Sequence, residues 1–135
     1  MKKILIPVLF VLLISPGVRA ELASLSHLYS LGKTIHDLDG DGFGEKIALS
    51  IIIPDSPTAA ELSLATDIAA RANLESLSQD FGLVRRESDV ESWEALPNPI
   101  LIGSNVRWAR DIAKDRKLDA ADLGPDRGMV FVFAH

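Results

Sequence analysis

The chain has 135 residues and a formal net charge of −5, with 19 acidic and 14 basic side chains. This length suits one domain with one hydrophobic core, and the 47% of hydrophobic residues are enough to build that core. The acidic balance argues against nucleic acid as a partner, because phosphates require a basic face. Since the chain has no cysteine, its stability has to come from core packing or from a bound metal rather than from disulfides.

The N-terminus has the pattern of a secretory signal peptide. Two lysines precede an apolar run over 4–14, and a Val-x-Ala cleavage pattern ends at Ala20. The apolar run is shorter than the ~20 residues that a membrane-spanning helix needs. We therefore predict an exported protein, periplasmic or secreted, from which the leader at 1–20 is removed so that Glu21 becomes the N-terminus. A retained membrane anchor is the alternative; after cleavage we expect no membrane segment.

Residues 21–135 are expected to form a single α/β domain. The lead-in over 21–30 is either a helical turn or the start of a strand. A strand is predicted over 46–54, and it is expected to be central because both of its faces are apolar. A capping box over 58–61 then opens an alanine-rich helix that is predicted to end near Asn73 or about a turn later.

The second half of the domain continues the alternation of strands and helices. The pattern predicts, in order, a short strand over 83–86, a buried strand over 99–103, a helix over 106–117 capped by Ser104 and Asn105, a turn over 123–128 and a buried strand over 129–133. Six β-branched residues are expected in the central strands of one sheet: Ile51, Ile53, Ile100, Ile102, Val130 and Val132. The predicted fold class is therefore α/β, with a small, mostly parallel sheet, flanking helices in a three-layer arrangement and a preceding calcium-loop hairpin.

The most specific feature is the acidic run over 37–45, with the sequence DLDGDGFGE. Calcium prefers six to eight hard oxygen ligands in a flexible arrangement. The candidate ligands are the side chains of Asp37, Asp39, Asp41 and Glu45 and the backbone carbonyl of Phe43. Gly42 permits the sharp turn, and three aspartates packed this closely repel one another unless a cation binds. We predict one structural Ca²⁺ here, with an empty Asp/Gly turn as the alternative.

Over about nine residues this run resembles the calcium loops of EF-hands, dockerins, thrombospondin type 3 repeats and FG-GAP repeats. An EF-hand has a bidentate glutamate at position 12 and an exiting helix, whereas this chain has Ala48 there and a predicted strand. The resemblance is therefore to the strand–loop–strand type of FG-GAP repeats. It does not extend to a propeller, because the chain has one such loop and no repeated blades.

A second candidate site is the crevice between the loops that follow the strands over 46–54 and 99–103. In parallel α/β sheets, ligands bind at the edge where strands lead into helices. The candidate residues are Asp55, Ser56, Thr58, Ser104 and Asn105. Ordinary helix capping is the alternative explanation, because neither loop is a glycine-rich phosphate loop. No catalytic constellation is recognised, so no catalytic residue is assigned.

A wider resemblance rests on the order of four segments: the acidic loop, the DIAAR helix, the NPILIGS strand and the LGPDRGMVFVF strand. This order is similar to that in the non-catalytic α/β domain that precedes the catalytic domain in some exported bacterial hydrolases, including zinc carboxypeptidase-like and glycoside hydrolase proteins. The resemblance implies an accessory module without catalytic residues.

The expected function is therefore an exported, non-catalytic accessory or interaction module with one structural calcium ion and a protein or carbohydrate partner. Whether the chain is an enzyme stays open, although the patterns favour a non-enzyme. A small-ligand-binding or hydrolytic domain that uses the crevice is the first alternative. A truncated N-terminal domain of a larger secreted hydrolase is the second.

Overall fold

The computed structural model describes residues 9–14, 25–117 and 129–134, and it gives side-chain packing for 25–117. The strands are β1 (Leu9–Ile14), β2 (Ile35–His36), β3 (Lys46–Ile47), β4 (Ser50–Ile53), β5 (Val84–Arg86), β6 (Pro99–Ile102) and β7 (Met129–Ala134). The helices are α1 (Ala59–Leu74) and α2 (Arg107–Asp115), with 3-10 turns at Leu25–His27, Glu87–Asp89 and Trp93–Ala95. These elements form a small mixed α/β fold.

Three neighbouring strands of the sheet, β5, β4 and β6, are parallel. The strand order is β5-β4-β6-β1-β7. Ile51 on β4 is opposite Val84 on β5 and Ile100 on β6, and both pairs of strands are parallel. The predicted α/β class with parallel strands around β4 is therefore confirmed.

The other side of the sheet differs from the expectation. β1, which lies within the predicted leader, pairs antiparallel with β6 and parallel with β7. Because β1 occupies the position next to β6, β7 lies at the edge of the sheet and runs antiparallel to β6. The expected central position of Val130 and Val132 is therefore wrong. Cleavage after Ala20 stays a prediction, and it would remove β1 from this sheet.

Several predicted features lie outside the described residues. They are the cleavage site at Ala20, the first residues of the lead-in, over 21–24, and the turn over 123–128. Within the described part of the chain, no helix combines the length and the apolar character needed to cross a membrane.

The strand predicted over 46–54 is divided into two pieces that belong to different sheets. β3 pairs with β2, whereas β4 enters the five-stranded sheet. Between them, the Ala48 amide donates to the Thr34 carbonyl at 2.7 Å, and the Ala48 carbonyl accepts from Asn98 Nδ2 at 2.7 Å. The first bond continues the β2–β3 pairing by one residue, because Thr34 and Ala48 are the next pair after Ile35 and Ile47. The second bond uses the Ala48 carbonyl for a side chain from a distant loop, and β4 then begins in the other sheet.

Helix α1 packs against one face of the parallel strands. Since side chains alternate along a strand, the odd-numbered positions of β4 and the even-numbered positions of β6 share this face. The core there consists of Leu28, Ile47, Leu49, Ile51, Ile53, Ala65, Ile68, Ala72, Leu83, Ile100 and Ile102. The predicted capping box is confirmed: Thr58 Oγ1 accepts from the Glu61 amide at 3.2 Å, and Glu61 Oε2 accepts from the Thr58 amide at 2.7 Å.

Helix α2 contacts the opposite face, where Ile52 and Leu101 pack with Val90, Val106 and Ala109. Its N-cap is Val106, which makes no side-chain capping hydrogen bond, so the predicted capping by Ser104 and Asn105 is wrong. A distant side chain takes that role instead, because Glu87 Oε1 accepts from the Arg107 amide at 2.8 Å. The acid comes from the connection after β5, which a local sequence pattern cannot reveal.

Candidate metal site

The acidic run over 37–45 connects β2 to β3. These two short strands pair antiparallel, with Ile35 opposite Ile47, and the Glu45 amide donates to the His36 carbonyl at 2.9 Å. Both ends of the run are therefore held close together. We call residues 37–45 the acidic loop.

The acidic loop gathers four carboxylates at one place. One oxygen from each of the four lies within 4.8 Å of the others, for Asp37, Asp39, Asp41 and Glu45. Two oxygens on opposite sides of a calcium ion are separated by about 4.6–5.2 Å, twice the Ca–O distance. The cluster could therefore hold a metal ion, as the spacing of the acids in the sequence predicted.

Asp37 organises the turn through backbone hydrogen bonds. Its Oδ1 accepts from the Gly40 amide at 2.6 Å, and its Oδ2 accepts from the Gly42 amide at 2.9 Å. Donation from Gly42, and then from Gly40, holds the pKa of Asp37 below its ordinary value, because these bonds favour the charged carboxylate. Asp37 is therefore ionised and oriented by its own loop.

The other three acids are oriented in a similar local way. Asp39 Oδ1 accepts from the Asp41 amide at 3.1 Å, and Asp41 Oδ1 accepts from the Phe43 amide at 2.9 Å. Glu45 Oε2 accepts from the Leu38 amide at 2.7 Å, which closes the loop from its far end. Each of these bonds uses one oxygen of its carboxylate, and each donor lies within seven residues of its acceptor.

The backbone of the acidic loop requires glycine at its tight turns. Gly42 has φ of +92°, a left-handed conformation that side chains with a Cβ rarely adopt. This agrees with the predicted role of Gly42 in the sharp turn. Phe43, predicted to supply a carbonyl ligand, lies next to it in the loop, and binding of an ion by that carbonyl stays a prediction.

The acidic loop also contacts the end of α1. The Gly44 carbonyl accepts from the Leu77 amide at 2.8 Å and from Ser76 Oγ at 2.9 Å. Gly44 packs so closely that a Cβ at this position would overlap Ile35 Cγ2. The sequence did not reveal this attachment, because it joins the loop to a helix about thirty residues further along the chain.

The predicted crevice lies at the edge where β4 and β6 end. Because these strands are adjacent and parallel, the loops at 55–58 and 103–105 lie at the same edge of the sheet, as expected. Thr58 caps α1. Asp55 Oδ1 accepts from the Ser88 amide at 2.9 Å, and this bond holds the pKa of Asp55 below its ordinary value. These contacts are structural.

Glu61, which the sequence did not single out for this edge, lies against Gly103 of the predicted crevice. Glu61 is only 1% exposed, and its Oε1 has no hydrogen-bond partner among the residues described. Gly103 has φ of +108°, and a Cβ there would overlap Glu61 Oε1. The capping box identified Glu61 as a cap, but only the position of β6 beside β4 buries it against Gly103.

Comparisons of the chain with protein family models, with curated proteins and with solved structures found no match. The function therefore has to be argued from the geometry of the sites.

Proposed function

We propose that this protein is an exported, non-catalytic accessory or interaction module that binds one structural Ca²⁺ in the acidic loop. The observation that carries the proposal is the convergence of four carboxylate oxygens within 4.8 Å of one another. The resemblance to accessory domains of exported hydrolases supports the module role. The proposal includes a three-layer arrangement, which the contacts of α1 and α2 with opposite faces of the parallel strands support.

Calcium suits the acidic loop better than magnesium or zinc. All of the predicted ligands are oxygens, whereas zinc sites use mainly histidine and cysteine. Magnesium requires a tight octahedral shell at about 2.0–2.1 Å and keeps several of its waters. The four carboxylates of the acidic loop supply hard oxygens, and calcium accepts such oxygens in a less regular shell than magnesium does.

The ion would act structurally, because the acidic loop joins three parts of the fold. It connects β2 to β3 and, through the Gly44 carbonyl, contacts the residues that follow α1. A ligand that binds only the folded state stabilises it by about 2.7 kcal/mol at a hundredfold excess over Kd. Exposed loops of exported modules bind calcium with Kd of about 10⁻⁴–10⁻³ M, which agrees with the predicted export.

The hydrogen bonds at the crevice indicate a structural role for its residues rather than ligand binding. Thr58, Asp55 and Glu87 each accept hydrogen bonds from backbone amides there, as expected of residues that terminate strands and begin helices. We keep a ligand-binding or hydrolytic role at this edge as the alternative to the calcium-binding module.

Calcium titration tests the proposal. Calorimetry on the purified protein should detect binding at millimolar calcium, and the melting temperature should rise with calcium and fall with a chelator. Asp39→Ala should remove both responses, whereas Asp67→Ala, an exposed acid on α1, should keep them. Magnesium should raise the melting temperature less. Absence of binding heat together with a melt that ignores the chelator would show that the acidic run is an ordinary turn.

A further inference from the structure

A groove lies between the acidic loop and the end of α1. Its volume is about 300 Å³, and one wall consists of Gly42, Phe43 and Gly44. The other wall is formed by 74–77, and Tyr29, Leu31 and Ile35 complete the lining. We call this feature the loop groove.

The loop groove exposes large apolar side chains from both walls. Phe43 is 60% exposed on one wall, and Leu74 and Leu77 are 80% and 68% exposed on the other. Single exposed apolar residues are common, but several that surround one concave surface mark an interaction site. Burying each of these side chains against a partner would be favourable, whereas leaving them in water is costly.

Hydrogen bonds within the protein join the two walls of the groove when no partner is bound. The Gly44 carbonyl accepts from the Leu77 amide and from Ser76 Oγ, at 2.8 and 2.9 Å. The close contact of Gly44 with Ile35 seats the loop wall on the β2–β3 pair. A partner therefore needs little rearrangement of the groove, which lowers the entropic cost of binding.

The charges beside the loop groove indicate what kind of partner it fits. Asp41 and Glu45 flank the loop wall directly, and the cluster holds four carboxylates in all. Even with one divalent ion bound, these carboxylates retain a net negative charge. On the opposite wall, Glu75 forms an ion pair with Arg71, so that pair contributes little net charge. Basic groups on a partner would thus be attracted towards the acidic loop.

We propose that the loop groove docks a short segment of another protein in which large apolar residues alternate with lysine or arginine. The apolar side chains enter between Phe43 and Leu77, and the basic side chains contact the carboxylates of the acidic loop. A second copy of this chain fits poorly, because a two-fold interface would bring two acidic loops together. The proposal rests on the role of interaction module proposed above, and it assigns the surface and the chemistry of the partner.

The shared loop couples this docking to calcium. Phe43 is a wall of the groove and lies between two candidate metal ligands, Asp41 and Glu45. An ion that fixes the loop would fix this wall in place. By thermodynamic linkage, calcium and the docked segment should change each other's affinity by the same factor. Ordering of the Phe43 wall by the ion would strengthen docking, and neutralisation of part of the carboxylate charge would weaken it.

Fluorescence anisotropy with a labelled peptide, Gly-Lys-Leu-Lys-Phe-Lys-Gly, tests the proposal, with a second peptide carrying glutamate at the three lysine positions as the charge control. The basic peptide should bind at least ten times more tightly than the acidic one. Leu77→Ser should weaken binding of the basic peptide about tenfold. Phe81→Ser, which changes a side chain 90% exposed but outside the groove, should leave it unchanged. Equal binding of the two peptides, no binding, or an equal loss in both variants would overturn the proposal.

Two further measurements separate this proposal from the one on calcium. Leu77→Ser should still bind calcium, since its ligands are intact, and peptide binding to the unchanged protein can be measured with chelator present. Peptide binding without any calcium response would refute the calcium site and leave the groove standing. A calcium response without peptide binding would refute the groove alone. A dimer that Leu77→Ser abolishes would show that a second copy, rather than another protein, occupies the groove.

Discussion

Two regions of the molecule share the same local features: the acidic loop, and the edge of the sheet where β4 and β6 end. In each, an aspartate accepts a hydrogen bond from a backbone amide, and a glycine has a positive φ. In the acidic loop, Asp37 accepts from amides three and five residues away, and a Cβ added at Gly40 would meet no other atom within 4 Å. At the strand edge, Asp55 accepts from an amide 33 residues away, and Gly103 is in contact with Glu61 on α1. The first turn depends on local contacts, whereas the second depends on packing between distant elements.

This difference determines how each region should respond to change. The acidic loop is exposed and makes its own hydrogen bonds, so a substitution there should affect mainly metal binding. At the strand edge, Ile102, Gly103 and Glu61 are buried between helix and sheet, so a substitution at one of these positions should affect the stability of the whole fold. Paired variants with the same change in each region test this expectation.

A charge should give the largest contrast between the two regions. Ile102, the last residue of β6, has no exposed surface, and burying an unpaired charge costs several kcal/mol beyond the roughly 1.5–3 kcal/mol of lost apolar burial. Ile102→Asp should therefore abolish folding at ordinary temperature. Leu38→Asp, at a position of the acidic loop that is 67% exposed, adds a carboxylate whose repulsion by its neighbours is screened by solvent, and it should lower the unfolding free energy by about 1 kcal/mol or less. Circular dichroism melts distinguish these results, and a soluble Ile102→Asp variant that melts cooperatively would count against the sheet.

Replacing a glycine by alanine should give an intermediate difference in stability between the two regions. Gly40 and Gly103 both have positive φ, so alanine at either position costs about 1–2 kcal/mol of backbone strain. At Gly103 the new Cβ would also overlap Glu61, which adds about 1–3 kcal/mol of overpacking. Urea denaturation should therefore show a greater loss for Gly103→Ala than for Gly40→Ala. Equal losses would mean that Glu61 moves away from the new Cβ without a measurable cost.

Low pH should give the smallest difference in stability between the two regions. Backbone donation from Gly42 and Gly40 lowers the pKa of Asp37, and donation from Ser88 lowers the pKa of Asp55. Since each folded pKa lies below the unfolded value, each carboxylate adds stability that is fully present above about pH 4. That stability is lost as the pH falls through the folded pKa. The protein without metal should thus lose stability below about pH 4.

Short peptides can distinguish a pKa lowered by nearby backbone amides, as for Asp37, from one lowered by a distant amide, as for Asp55. In a peptide of residues 34–48, NMR titration should find the pKa of Asp37 still below its ordinary value, because its donors lie within the peptide. In a peptide of residues 50–60, the pKa of Asp55 should return to the ordinary value, because Ser88 is missing. A normal pKa for Asp37 in the first peptide would show that the acidic loop also needs the folded protein.

The sequence predicted several elements correctly because their signals are local. The capping box at Thr58 fixed the start of α1, and the apolar runs located β4 and β6. The alternation of strand and helix also predicted the parallel strands. The prediction for α2 was less successful, because its first amide is bound by Glu87 rather than by Ser104 or Asn105.

For the candidate sites, the sequence by itself determined the composition of the acidic loop. The spacing of its acids and glycines produces hydrogen bonds within seven residues, which no distant element has to supply. Only the tertiary structure decided which surfaces meet that loop. The hydrogen bonds of Gly44 to 76–77 create the loop groove, and the contact of Glu61 with Gly103 closes the strand edge. The position of β1 between β6 and β7 leaves β7 at the edge of the sheet rather than at its centre. Each depends on elements far apart in the chain, and a local pattern carries no information about which distant elements will pack together.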